Sequence, residues 1–141
     1  MKYSNILVPT DFSRSSYAAF AAAAFIAGKF KAKVYLLHVL EPIPVLAFKL
    51  GLSQAELDER VLKQAATDLK KAARRLRVRG AELLLRKGTP HKEIVRVVKE
   101  KKIDLIVMGT CGRTGLEHVL LGSVAEKVVR HAPCQVLTVK P

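Results

Sequence analysis

Short apolar runs and amphipathic segments alternate along this chain from one end to the other. The apolar runs are bounded by proline, glycine or charged residues. Runs of this kind are typical of strands that are buried on both faces of a parallel sheet. The pattern predicts five strands, over residues 4–9, 33–40, 81–86, 103–108 and 135–139.

Helical signals occupy the segments between the predicted strands. An alanine-rich run from about Ser13 predicts a first helix with Gly28 at its C-terminal end. Ser53 and Glu56 form the S-x-x-E pattern of a capping box, which opens a second helix that Gly80 ends. The inner face of this helix is predicted from apolar residues that recur every three or four positions: Leu57, Val61, Ala65, Leu69, Ala72 and Leu76.

Two further helices complete the predicted pattern. Thr89 at the N-cap and Pro90 at the first helical position begin the third helix. Its predicted inner face consists of Ile94, Val97 and Val98. Ser123 and Glu126 form a second S-x-x-E pattern, which predicts a capping box at the start of the last helix, ending near His131.

Five strands separated by four helices predict an α/β fold whose parallel sheet is covered on both faces. Because crossovers between parallel strands are right-handed, the topology narrows to a doubly wound sheet. The 141 residues, half of them hydrophobic, suit a single domain over 1–141. Such folds bind ligands at the carboxyl ends of strands where the strand order reverses. If it reverses between the first and fourth strands, the loops after Pro9 and from Gly109 line one crevice.

Four glycines follow the fourth predicted strand and precede the last helix: Gly109, Gly112, Gly115 and Gly122. Amides without side chains can approach a phosphate closely, and a helix N-terminus adds a positive dipole. Ser123 contributes a hydroxyl, and Arg113 can add charge-assisted hydrogen bonds. The segment therefore predicts an anion site; the alternative is that the glycines only shape a long loop.

Three familiar signatures are absent from the sequence. The P-loop pattern GxxxxGK[ST] is not found, because no Gly-Lys pair follows Gly109. GxGxxG is also missing, and the glycines follow the fourth strand, which argues against a dinucleotide-binding Rossmann domain. A receiver domain needs an aspartate at the end of its third strand, where Leu85, Arg86 and Lys87 stand.

Gly109-x2-Gly112-x9-Gly122-Ser123 reproduces the motif G-x2-G-x9-G-[ST]. With this motif the chain resembles the ATP-binding branch of the universal stress protein family. The resemblance covers essentially the whole chain and is carried by ILVPTDFS (6–13), LHV (37–39), GTP (88–90), GSVAEKV (122–128) and HAPC (131–134). It implies a Rossmann-like sheet with strand order 3-2-1-4-5.

The resemblance also implies a bound ATP, with AMP or ADP as alternatives and Mg²⁺ accompanying the nucleotide. It places Pro9, Thr10, Val39 and Met108 at the adenine, Asp11 and Gly109 at the ribose, Gly112, Arg113, Gly122, Ser123 and Val124 at the phosphates, and Gly88 at the border of the pocket. For Asp11 a structural role, as a turn or capping residue before the first helix, is the competing interpretation.

No catalytic constellation is visible in the sequence. His38, His91, His118 and His131 are scattered and lack metal-ligand spacing, so no protein metal site is predicted. Capping explains Ser123 without nucleophilic chemistry. The chain is therefore expected to be a nucleotide-binding regulatory protein of the stress response and not a dedicated enzyme. Slow ATP hydrolysis or autophosphorylation in the same pocket is the alternative.

The cysteines and one apolar run bear on the cellular compartment. Cys111 and Cys134 lack CxxC spacing and are too few for a disulfide framework, so the cytoplasm is the default expectation. Each is interpreted as a small packing residue, with redox sensitivity as the alternative for Cys111.

The apolar run 17–27 is much shorter than the about 20 residues of a membrane span. It follows a predicted strand, which favours a core helix over a signal peptide.

The last predicted strand, Gln135–Val139, would lie at an edge of the sheet, where an apolar strand invites pairing with another chain. The family resemblance implies a homodimer through this strand. A regulatory protein partner is also expected, of a kind that the sequence does not identify, and no membrane partner is expected.

The net charge of +13 suggests an anionic partner. Residues 63–102 contain 14 Lys and Arg against 4 Asp and Glu. This concentration raises the alternative of a nucleic-acid-binding protein that uses its basic surface, with an ordinary solvated surface as the simpler interpretation. The chain has no Trp, few aromatic residues and no recognition motif, all of which count against specific nucleic-acid binding.

Overall fold

The computed structural model describes residues 1–42, 44–111 and 121–141. Its parallel sheet has the order β3-β2-β1-β4-β5. The strands are β1 (Asn5–Pro9), β2 (Lys33–Leu40), β3 (Glu82–Lys87), β4 (Leu105–Gly109) and β5 (Gln135–Val139), and the helices are α1 (Arg14–Phe30), α2 (Pro44–Lys49), α3 (Gln54–Leu76), α4 (Pro90–Glu100) and α5 (Ser123–His131). The order reverses at β1, which pairs with both β2 and β4. The predicted doubly wound α/β fold is thus confirmed.

Helices cover both faces of the sheet, and successive residues of β1 point to opposite faces. Ile6 and Val8 pack in a core with residues of α1 and α3. Leu7 packs in a second core with residues of α4 and α5. All three side chains are fully buried. The run Ile-Leu-Val is therefore continuous because neither face of this strand meets water.

The first two long helices end in left-handed residues that are not glycine. α1 continues through Gly28, and Lys31 (φ 55°) ends it with a hydrogen bond from the Ala32 amide to the Ala27 carbonyl, 3.0 Å long. α3 ends at Arg77, which is also left-handed (φ 58°), three residues before Gly80. The prediction that Gly28 and Gly80 end these helices was wrong by a few residues at each.

The two S-x-x-E patterns behave differently. Ser53 and Glu56 form a complete capping box, with 3.1 Å from the Glu56 amide to Ser53 Oγ and 2.9 Å from the Ser53 amide to Glu56 Oε2. The predicted box at Ser123 was wrong, because Gly122 is the N-cap and Ser123 is the first helical residue. A serine inside the first turn cannot accept the capping hydrogen bond in the way an N-cap side chain does.

One helix and one exposed side chain were not predicted. α2 has only six residues, too few for a periodic apolar pattern, and begins at a proline. It lies in the connection between β2 and α3. Val61, predicted on the inner face of α3, is 38 % exposed, whereas the other five residues of that predicted stripe are buried.

Candidate functional site

A cavity of about 530 Å³ opens at the carboxyl edge of the sheet, beside the point where the strand order reverses. Its walls come from the loop after β1, the end of β2, the end of β4 and the first turn of α5. α3 and the first half of α4 close the remaining sides. This is the position at which doubly wound folds bind ligands, and the volume suits a small molecule.

Most of the residues predicted to hold a nucleotide line this one cavity. They are Pro9, Thr10, Asp11, Val39, Met108, Gly109, Gly122, Ser123 and Val124. Gly88 is not among the lining residues; Pro90, two residues later, lines the cavity in its place. Gly112 and Arg113 lie outside the residues that the structure describes. The fold therefore brings together side chains that are more than a hundred positions apart in the chain.

The loop after β1 is held by its own side chains. The Ser13 amide donates to Asp11 Oδ1 at 2.9 Å, which closes an Asx turn. The Phe12 amide donates to Thr10 Oγ1 at 3.0 Å, and Phe12 itself has a positive φ of 66°. Asp11 thus has the structural role that the sequence offered as its competing interpretation, while its side chain still lines the cavity.

Thr10 uses its polar groups within the protein. Its amide donates to the Leu37 carbonyl at 2.8 Å. Its hydroxyl lies 2.9 Å from Ser16 Oγ, and Ser16 Oγ donates to the Ser13 carbonyl. Because the Ser16 hydrogen is committed to that carbonyl, Thr10 is the donor of the pair. A contact between Thr10 and a ligand in the cavity would therefore rest mainly on its carbon atoms.

His38, which also lines the cavity, is 6 % exposed and is anchored to the same loop. Its Nδ1 lies 2.8 Å from the Thr10 carbonyl. Since a carbonyl only accepts hydrogen bonds, Nδ1 carries the proton in this contact. The ring of Phe12 lies against the imidazole, with 4.2 Å between ring centroids. The histidine thereby ties β2 to the loop after β1.

The end of β4 approaches α1 more closely than any side chain would allow. A Cβ placed on Gly109 would lie 2.3 Å from the Ser15 carbonyl oxygen and 2.9 Å from Ser15 Oγ. Ser15 Oγ accepts a hydrogen bond from the Cys111 amide at 3.1 Å. Gly109 is therefore required by helix packing, independently of any ligand.

The residues on either side of the undescribed segment are joined to each other. The Gly122 amide donates to the Thr110 carbonyl at 2.5 Å. The Thr110 amide, one residue after the end of β4, in turn donates to the carbonyl of Val139, the last residue of β5, at 3.2 Å. These bonds fix the first turn of α5 against the end of β4, so that Gly122, Ser123 and Val124 face the cavity together with Gly109.

Comparison with known proteins places the chain in a family. The sequence model described as "Universal stress protein family" matches residues 2–140. The chain belongs to the universal stress protein family. It is 40 % identical over 140 residues to universal stress protein MJ0531 of Methanocaldococcus jannaschii, a match that covers 98 % of this chain and 82 % of the relative.

Solved structures of similar proteins share the whole fold. The structure titled as a structure-based assignment of the biochemical function of hypothetical protein MJ0577 superposes with a TM-score of 0.84 at 30 % identity, over 100 % of this chain and 98 % of that one. A universal stress protein crystallised in complex with cAMP has a TM-score of 0.74 at 28 % identity, over 99 % and 98 % of the two chains.

In this universal stress protein, α3 supplies a wall of the cavity that the sequence analysis missed. Val61, Gln64, Ala65 and Asp68 all line it. The signal was present, since Val61, Gln64 and Asp68 recur every three or four residues along one side of the helix. It was not recognised because the apolar stripe of α3 was assigned wholly to the core.

The charged groups that line the cavity within the described residues are all carboxylates: Asp11, Glu41 and Asp68. Asp68 and Asp11 both act on Tyr17 of α1. Burial raises the pKa of Tyr17, the nearby Arg75 guanidinium opposes this, and the two aspartates raise it further. The described part of the cavity therefore suits hydroxyl groups and cations better than it suits a bare anion.

The histidines and cysteines of the described residues form no metal-binding group. No group of three His, Cys, Asp or Glu side chains there is placed to hold a metal ion. Burial, and then Lys127, Lys92 and His131, lower the pKa of His91; His118 lies outside the described residues. Across the same ranges, the helices are too short or too polar to cross a membrane.

Proposed function

We propose that this universal stress protein binds ATP in the cavity between the loop after β1 and the glycine-rich segment after β4, with AMP and ADP as alternative occupants. The observation that carries the proposal is the convergence of nine of the twelve expected nucleotide residues on one cavity of about 530 Å³. The similar protein crystallised with cAMP supports an adenine nucleotide as the ligand class.

The apolar side of the cavity is proposed to receive the adenine. Val39 and Met108 lie near the carboxyl ends of β2 and β4, the two strands that flank β1, and Pro9 and Ile94 also line the cavity. Met108 is 6 % exposed and packs in the core beneath α4 and α5. An apolar slot of this kind contacts the two faces of a flat base. Polar contacts to the edge of the base are needed to fix its orientation. Thr10, with its hydroxyl already bonded, is proposed to contact the base through its methyl group.

The ribose and phosphates are proposed to lie toward α5. Asp11 accepts the Ser13 amide through one oxygen, and a carboxylate has further lone pairs for a ribose hydroxyl. The first turn of α5 begins at Gly122, which has no side chain to cap the helix amides. A phosphate at this turn would accept hydrogen bonds from them and would meet the positive end of the helix dipole. Gly112 and Arg113 are proposed as further phosphate contacts.

Magnesium is proposed to accompany the triphosphate and not to occupy a site of its own. Oxygen ligands from carboxylates and phosphates are those that Mg²⁺ prefers. Asp11, Glu41 and Asp68 place negative charge along the same cavity, which would otherwise repel a triphosphate. The bound cation would offset this repulsion. We therefore expect tighter ATP binding with Mg²⁺ than with a chelator present.

The proposed role is regulatory, in the cytoplasm, with the nucleotide as a signal for a protein partner. A dedicated enzyme would need a base or nucleophile next to the phosphates. The alternative use of the pocket is slow ATP hydrolysis or autophosphorylation. A steady-state turnover above roughly 1 s⁻¹ would contradict the regulatory role, since ordinary enzymes begin near that value. We also propose a homodimer formed through the edge strand β5.

The proposal is tested by identifying the nucleotide that purified protein releases on denaturation, and by titrating emptied protein with ATP. Gly122→Val is expected to abolish binding, because a branched side chain at the helix N-cap would block the amides. Gly28→Val is the matched control, since a Cβ at Gly28 meets nothing within 4 Å. Failure of the unaltered protein to release or bind any nucleotide would refute the proposal.

A further inference from the structure

The excess of positive charge is not spread evenly over the molecule. Arg86, Lys87, Arg96 and Lys101 each form an ion pair, with Glu100, Asp58, Glu93 and Glu82 respectively, at 2.6–2.9 Å. These are four of the seven Lys and Arg residues in the stretch 82–102, and Glu82 is shared between Lys101 and Lys33. Lys92, Lys99 and Lys102 of the same stretch form no ion pair with a described residue. The densest run of such unpaired cations lies elsewhere, in residues 70–79, at the C-terminal end of α3 and just beyond it.

Six of the ten residues from 70 to 79 are Lys or Arg, and none is acidic. We call this group the α3 patch; its members are Lys70, Lys71, Arg74, Arg75, Arg77 and Arg79. All six are exposed. Within the described part of the chain, none of them lies within ion-pair distance of an acid. The preceding acid on the helix, Asp68, is turned toward the cavity.

The end of α1 extends the α3 patch. Ala27 of α1 and Leu76 of α3 are buried in the same core, so the two helix ends are neighbours on one face of the sheet. Lys29 and Lys31 are exposed at the end of α1 and likewise form no ion pair with a described residue. One or two basic residues complement a helix dipole at this position. Eight exceed that purpose and require another explanation.

The chemistry of the α3 patch favours a nucleic-acid backbone over a membrane. Four of its six members are arginines, whose planar guanidinium groups match phosphate oxygens bidentately. Lys70 and Arg74 lie one turn apart on the same side of α3, and Arg77 follows at its C-terminal end. The seven residue steps span about 10 Å, a length that covers several phosphates of a duplex. A membrane-surface helix would need an exposed apolar face beside its cations. The apolar face of this half of α3, Leu69, Ala72 and Leu76, is instead buried in the core.

We infer that the α3 patch binds the phosphate backbone of double-stranded nucleic acid without reading its base sequence. The exposed side chains there are cations, with no amide or free aromatic group to contact base edges, and Tyr17 beside them is covered by Arg75 at 4.4 Å. Phosphate contacts of this kind give affinity and no sequence preference.

The test measures binding of a fluorescent 20-base-pair DNA duplex of arbitrary sequence to the full-length protein over a range of salt concentrations. The variant Lys70→Gln/Lys71→Gln/Arg74→Gln keeps good helix formers on exposed positions. If all three contact phosphates, the slope of log K against log salt should fall in magnitude by about 2.7. An RNA duplex should behave in the same way, with its own slope reduced.

The control variant Arg86→Gln/Lys87→Gln/Arg130→Gln removes the same charge from ion-paired positions. It should leave the slope and the affinity close to those of the unaltered protein. Equal loss in both variants would overturn the inference, because net charge alone would then explain binding. So would the absence of duplex binding at about 50 mM salt, or preferential binding to vesicles that contain phosphatidylserine. The unfolding midpoint of each variant verifies that it is folded.

Discussion

The Cα of Gly109 lies so close to Ser15 that a Cβ there would be 2.3 Å from the serine carbonyl oxygen. The first glycine of the G-x2-G-x9-G-[ST] motif is therefore set by the packing of β4 against the start of α1. Ser15 in turn accepts the Cys111 amide, so the same contact orients the beginning of the glycine-rich segment. A motif glycine and a helix serine thus hold one wall of the cavity.

Gly109→Ala should destabilise the protein by about 1–3 kcal/mol, as expected when a packed interior is overfilled. The backbone carbonyl of Ser15 cannot move aside as a flexible side chain would. Gly28→Ala is the matched control, and it should stabilise α1 by about 0.5–1 kcal/mol because Gly28 is helical and unobstructed. Urea denaturation measures both changes. Equal stability of Gly109→Ala and the unaltered protein would contradict the packing assignment.

Asp11 can be separated into its turn-forming and its ligand-binding roles. Asp11→Asn keeps an oxygen that accepts the Ser13 amide, and should change the free energy of unfolding little. It removes the charge proposed to face the ribose, and should weaken ATP binding by about 1.5 kcal/mol or more, roughly tenfold. Asp11→Ala removes both contacts and should lose stability as well. Calorimetric titration with ATP, alongside urea denaturation, separates the two effects; unchanged affinity in Asp11→Asn would exclude the ribose contact.

The two cysteines provide an internal comparison for nucleotide binding. Cys111 lines the proposed nucleotide cavity, whereas Cys134 lies near the opposite edge of the sheet beside Asp104. ATP should slow alkylation of Cys111 by N-ethylmaleimide severalfold and leave Cys134 unaffected, as read by peptide mass spectrometry.

Near neutral pH, Cys134 should react with N-ethylmaleimide more slowly than a thiol of ordinary pKa, with or without ATP. Burial, assisted by Asp104, raises the pKa of its thiol, so less of the reactive thiolate is present. Its rate should rise as the pH is increased toward that raised pKa. Protection of both cysteines by ATP would point to a general tightening of the fold and not to occupancy of the cavity.

The two S-x-x-E segments should respond differently to the loss of their serine. Ser53→Ala removes the N-cap of α3 and should cost about 1 kcal/mol of unfolding free energy. Ser123→Ala removes no cap and should change stability little, while weakening ATP binding if the hydroxyl contacts a phosphate. Thermal unfolding and ATP titration of both variants measure the contrast. A larger loss of stability in Ser123→Ala would contradict the assignment of Gly122 as N-cap.

The proposed homodimer should depend on the exposed side of β5. Leu137 is 37 % exposed on this edge strand, and Leu137→Lys should convert a dimer to a monomer without unfolding it. Val129→Lys, on α5, is the control at a similarly exposed apolar position, and should leave the dimer intact. Sedimentation analysis distinguishes the outcomes. Deletion of the strand is a poorer test, because β5 pairs with β4 along its whole length.

Much of the fold is determined locally, and the sequence was sufficient to predict it. The apolar triplet of β1 is continuous because both sides of that strand are buried, and the Ser53 box opens α3 through contacts only three residues apart. The family motif then supplied the strand order and nine residues of the cavity. Where boundaries were missed, at Gly28 and Gly80, the helices ended on Lys31 and Arg77, left-handed conformations that residue preference alone does not favour.

Contacts between distant segments were decided only by the tertiary structure. Gln64 and Asp68 of α3 join the cavity because the crossover from β2 to β3 lays that helix beside the loop after β1. The same packing buries one face of α3 and leaves the α3 patch unbalanced, while the folding of Lys87 against Asp58 neutralises charge that looks equivalent in the sequence. Composition sums charge along the chain, whereas electrostatic interactions depend on distance in space. The sequence therefore determined how much positive charge the protein has, and only the fold decided which of these cations are paired with carboxylates.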